Sequence, residues 1–153
     1  MSSRLFTQVR ERRGLAYAVH TSVDDYLDTG SFNCQAGLAP SRAQEALKVI
    51  LDEFASVRDE GVTAQELEQA KSHIRGRMAL SLEDPLGIAL FYGRQWLTEG
   101  QPQSIETILQ KVDAVTLGDI QRIARQLFVP QGLNVAIIGP KTNADEFESL
   151  LSL

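Results

Sequence analysis

Near the start of the chain Leu5 and Val9 stand one helical turn apart, with Phe6 beside them. Ser3 is placed to cap that turn and Gly14 to end it in a left-handed conformation, so a short helix is predicted to run to about Arg13. The period then changes to two. Leu15, Tyr17, Val19 and Thr21 alternate with Ala16, Ala18, His20 and Ser22. After a turn-rich stretch from Asp24 to Gly30, Phe32, Cys34 and Ala36 alternate with Ser31, Asn33 and Gln35. This is the pattern of a β-hairpin with a wide loop.

Helical spacing returns and persists. Ala43, Ala46, Leu47, Ile50, Phe54 and Val57 form an apolar stripe, with Ser41 and Gln44 as a capping box and Gly61 as its stop. Thr63 and Glu66 repeat the capping box ahead of Leu67, Ala70, Ile74 and Met78. Asp84-Pro85 starts the next helix, lined by Leu86, Ala89, Leu90 and Leu97 and stopped by Gly100. Ser104 and Thr116 cap two shorter helices, the second carrying Leu117, Ile120, Ile123, Ala124 and Leu127. The run Gly132 to Gly139 is continuously apolar at strand length, and Thr142 caps a last helix with Phe147, Leu150 and Leu151. Helices and strands are segregated. The expected class is therefore α+β, with an antiparallel sheet covered on one face by helices. Three strands under that much helix look like an incomplete sheet.

Composition narrows the function. The 153 residues fit a single domain, 1–153, and their 43% hydrophobic content is ordinary for a globular protein. A net charge of −5 argues against a surface that tracks nucleic-acid phosphates. Arg4, Arg10, Arg12 and Arg13 do not share one helix face, and Glu11 dilutes them. No apolar run is long enough to span a membrane, and the compartment is left open. With one cysteine, Cys34, there is no intrachain disulfide, and its place in a strand reads as a small buried hydrophobe. His20 and His73 lie far apart with no H-x-x-E-H or H-E-x-x-H around them, so no metal site is expected in this chain. Asp24, Asp25 and Asp28 lack the calcium-loop pattern and read as a solvated turn.

Arg10 and Tyr17 flank the predicted helix-to-strand turn. An arginine offers a fixed fork of donors and a tyrosine one hydroxyl donor. Both can reach the carbonyls of an extended peptide, and a donor near a scissile carbonyl stabilises a developing oxyanion. On spacing alone the plainer alternative weighs more: Arg10 bonding the helix end and Tyr17 packing in the core.

The segment Ser2-Ser-Arg-Leu-Phe-Thr-Gln-Val-Arg-Glu-Arg-Arg-Gly-Leu-Ala-Tyr17 resembles the signature of the second homologous domain of the pitrilysin/insulinase family of zinc peptidases, the group that includes the mitochondrial processing peptidase. The likeness continues through Asp28-Thr-Gly-Ser-Phe32, Glu60-Gly-Val-Thr-Ala-Gln-Glu-Leu-Glu68, Val112-Asp-Ala-Val-Thr116 and Asn134-Val-Ala-Ile-Ile-Gly-Pro140. The resemblance implies a clamshell of two α+β domains closing over a peptide. The first would carry the H-x-x-E-H zinc site. The second, zinc-free, would hold substrate carbonyls with an arginine and a tyrosine, at positions matching Arg10 and Tyr17. It follows that this chain has no cofactor or catalytic residue of its own, that zinc sits in a partner domain or subunit, and that the chain alone has no peptidase activity. The family also has members without peptidase activity, so an assembly or scaffold role is the alternative. In the family the domain begins earlier than Met1 does here. The resemblance therefore implies an N-terminally truncated, incomplete copy, with exposed sheet edge and apolar surface that favour self-association.

Overall fold

The left-handed turn at Gly14 (φ +58°) is where helix becomes strand. In a computed structural model that describes residues 3–140 and 143–152, Leu5 and Val9 lead into this turn and are both buried. The opening helix is widened: Phe6–Glu11 is a π-helical turn, with the Arg12 N–H donating to the Thr7 carbonyl at 2.9 Å. Gly14 N–H donates to the Arg10 carbonyl at 3.0 Å, closing the helix with a left-handed C-terminal cap.

Strands β1 (Ala16–Asp25) and β2 (Gly30–Leu38) pair antiparallel across the short turn at residues 26–29. Both extend further than the alternation suggested, because Asp24 and Asp25 pair with Ser31 and Gly30 rather than lying in the loop. The Asp24 carboxylate accepts from Asn33 Nδ2 at 2.6 Å and from Ser31 Oγ at 3.3 Å. Five helices follow: α1 (Ala43–Asp59), α2 (Ala64–Ser81), α3 (Pro85–Glu99), α4 (Ile105–Ala114) and α5 (Leu117–Leu127). A short α6 (Ala144–Glu148) comes near the end. None of the described helices is long and apolar enough to cross a membrane.

The caps follow the sequence closely, with one exception. Thr63 and Glu66 form a reciprocal capping box on α2, and Asp84 and Ser104 cap α3 and α4. Gly61 and Gly100 adopt the expected left-handed conformation. Ser41 and Gln44 make no capping box. Pro40 starts a 3-10 turn over Pro40–Arg42, so α1 begins only at Ala43 and has no side-chain cap. Thr142 lies outside the described residues, and Asn143 caps α6.

The chain divides into two compact units, one drawn from residues 1–61 and 121–153, the other from 62–120. In the first, Leu5, Val9, Leu15, Ala16, Ala46 and Ile50 form the buried core, with Val19, Cys34, Ala36 and Leu38 packed against it from the hairpin. One sheet face is thereby covered by the opening helix and α1. Phe32, Phe54 and Phe128 extend this core as an aromatic triangle with ring centroids 4.8 to 5.7 Å apart. The predicted third strand is absent: among the described residues the sheet has two strands. The run from Leu133 to Gly139 is apolar enough for a strand but has no strand partner. Ile138 stands fully exposed there.

In the second unit the apolar rows predicted on α2 and α3 are largely uncovered. Ile74, Leu86, Leu90 and Leu97 are exposed, while Lys71 and Gln95 are buried. Both buried polar groups are satisfied. Lys71 Nζ donates to the Asp113 carbonyl at 2.9 Å, and Gln95 Oε1 accepts from the Gln103 N–H at 2.8 Å. Arg75 pairs with the Asp113 carboxylate. Among the described residues of this unit no apolar side chain is fully buried.

Candidate functional site

Three of the four N-terminal arginines have distinct placements. Arg4 reaches from the opening helix to Ser56 Oγ at 3.3 Å and the Gly61 carbonyl at 3.2 Å, tying that helix to the end of α1. Arg13 folds back onto Gln8, and its carbonyl accepts from Arg42 at 3.1 Å. Arg10 is exposed, with its guanidinium 5.0 Å from the centroid of the Phe6 ring. That distance is within the range of a cation–π contact. Arg10 also lies within the π-helical turn, a distortion that is frequent at functional positions.

Tyr17 does not pack in the core. It is 77% exposed, beside Leu15 and Ala16, which are buried. The register gives the reason. Ala16 pairs with Leu38 and Ala18 with Gly37, leaving Tyr17 as the extra residue of a β-bulge. A bulge turns its side chain away from the ordinary alternation. Alternation alone put His20 on the face opposite Tyr17. The bulge corrects this. The Tyr17 ring lies against the α-carbon of Gly37, on the side where a residue-37 side chain would project. Gly37 pairs with Ala18, and His20 with Gln35, so that side also carries His20. The opposite side, with Val19 and Ala36, is the one packed on α1.

Arg10 and Tyr17 thus stand as exposed side chains on either side of the Gly14 turn. A guanidinium and a phenol are hydrogen-bond donors of the kind that carbonyl oxygens accept from. Cys34, facing the core, has its thiol pushed up to about 11 by burial, which removes it as a thiolate at neutral pH. Among the described residues no group of three or more His, Cys, Asp or Glu is arranged to hold a metal ion. A groove of about 400 Å³ runs in the first unit between β2 and the unpaired segment 135–140. Its walls are about equally polar and apolar, and the polar part includes Gln44 and Glu146 bonded to each other at 2.7 Å. It lies on the core side of β2, where Ala36 and Leu38 project, and not on the side of Tyr17.

Gly37 was not singled out by sequence reasoning. The available signal was a glycine inside a strand, which marks a bulge or a close approach by another group.

Comparison with known proteins matches residues 1–74 to the family model described as the peptidase M16 inactive domain. An uncharacterized zinc protease of Mycobacterium leprae (strain TN) is 37% identical over 140 residues, covering 92% of this chain and 31% of that protein. An uncharacterized zinc protease of Bacillus subtilis (strain 168) is 34% identical over 143 residues, covering 94% of this chain and 35% of that protein. The chain thus spans about a third of the length of these relatives. Among solved structures, a conserved protein from Enterococcus faecalis V583 superposes with a TM-score of 0.72 at 26% identity, over 81% of this chain and 29% of that one. A chain of complex III2 from Candida albicans, with Inz-5 bound, superposes with a TM-score of 0.74 at 19% identity, over 82% of this chain and 30% of that one, a likeness of fold alone.

Proposed function

Because the chain belongs to the peptidase M16 family and is a copy of its inactive domain, we propose that it is the substrate-gripping part of a zinc metallopeptidase. It binds an extended peptide and assists hydrolysis at a zinc held by an H-x-x-E-H domain or subunit. The observation that carries this reading is the presentation of Tyr17: a bulge in a hairpin packed on the core through one face turns a phenol outward, across the Gly14 turn from an exposed Arg10. A tyrosine kept for packing would sit on the α1 side of the sheet. In this arrangement Arg10 and Tyr17 donate hydrogen bonds to substrate carbonyls, and a donor that tightens as an oxyanion develops lowers the barrier at the zinc. The zinc, when present in the partner, supplies the polarised water. This chain's residues bind and orient.

The test is kinetic. The chain alone cleaves no unstructured peptide. In the assembled enzyme, Tyr17→Phe and Arg10→Ala each lower kcat/KM by at least about tenfold, as loss of an oriented donor does. Wild-type kinetics in both variants would refute the gripping role and leave an assembly function for the same fold. Zinc-dependent cleavage by the isolated chain would overturn the assignment from the other side.

A further inference from the structure

We propose that Gly37 is a positioning residue for Tyr17: the α-carbon of Gly37 is the seat on which the tyrosine ring rests, and only glycine leaves that seat open. A Cβ at position 37 would lie 2.3 Å from Cζ of Tyr17, 2.4 Å from Cε1 and 2.6 Å from the hydroxyl oxygen. All three distances are far inside van der Waals contact. The backbone itself does not require glycine here, because Gly37 is not in the left-handed region that Gly14, Gly61 and Gly100 occupy. The ring alone excludes a side chain. The same bulge that makes Tyr17 the unpaired residue brings Ala18 opposite Gly37, so bulge and glycine act together. One directs the phenol to this side of the hairpin, and the other lets it lie down at a fixed angle.

The energetics separate this role from a structural one. The obstructing atoms are the far end of a side chain that is 77% exposed, so a methyl group at 37 is accommodated by swinging the ring into solvent, with little loss of fold. The expected cost falls on the orientation of the hydroxyl. A misplacement of about 1 Å can cost up to about 100-fold in rate.

This inference rests on the gripping role proposed for Tyr17, and the experiment separates the two. In the chain itself, nuclear Overhauser contacts are expected between the Tyr17 ring protons and the Gly37 α-protons. Their absence overturns the seat. Thermal melting of Gly37→Ala is expected to match wild type closely. In the assembled enzyme, Gly37→Ala is expected to lower kcat/KM at least about tenfold alone, yet to add nothing when Tyr17 is already Phe, the non-additivity of two residues acting as one unit. A full additional loss in the Tyr17→Phe background means that Gly37 acts through the fold, and overturns the proposal. If Tyr17→Phe has wild-type kinetics, the gripping role fails. The Overhauser contacts then decide the seat by themselves.

Discussion

Cys34 faces the core on β2, and desolvation pushes its thiol up to about 11 from the ordinary 9.0. The folded chain therefore holds that proton more tightly than the unfolded chain does. This contribution to stability is complete below pH 9 and is lost as pH rises through about 11. Alkylation by iodoacetamide at pH 7.5, about 1.5 units below the ordinary thiol value of 9.0, should be slow in the native state and become more rapid in denaturant. Equal rates in both states would show the thiol to be accessible. Cys34 is partly buried, and placing it on the core-facing side required only the alternation of its strand. Tyr17 shows the opposite case. Its outward direction depends on a register slip between Ala16 and Ala18, and the role of Gly37 depends on a ring crossing from the neighbouring strand. Neither contact is encoded within a window of sequence, so both were invisible to periodicity.

Helix boundaries were legible wherever a single side chain or a single glycine sets them. Thr63, Asp84 and Ser104 cap as their spacing predicts, since each cap closes within three residues. The apolar run from Leu133 to Gly139 failed as a strand for a different reason: strand formation needs a partner, and no apolar pattern supplies one. Gly14 sets the angle between the helix bearing Arg10 and the strand bearing Tyr17. With φ at +58° and no atom within 4 Å of a would-be Cβ, an alanine there meets strain but no clash. Gly14→Ala is expected to cost about 1 kcal/mol from the left-handed backbone, and Gly14→Asn less. Urea midpoints of the two variants check the order. If alanine equals glycine, the turn has relaxed to another conformation.

For the molecule as a whole, the fold class and family were readable from sequence because the resemblance is spread over nearly the full chain. The distribution of burial was not, since amphipathic spacing marks an apolar face without showing what covers it. Every apolar residue among those described as buried belongs to the unit drawn from residues 1–61 and 121–153, and the buried residues of 62–120 are Lys71 and Gln95. Apolar burial contributes roughly 25 cal/mol per Å², so the two units differ in the free energy that resists opening. The chain should thus breathe unevenly. Amides of α2, α3 and α4 should exchange with deuterium through a sub-global opening well before those of α1 and the β1–β2 ladder, which wait for global unfolding. Matching protection in both units, measured by exchange mass spectrometry, would mean one cooperative body. Uneven exchange would mark residues 62–120 as a cooperative unit of its own, with a lower opening free energy than the unit that holds the buried apolar residues.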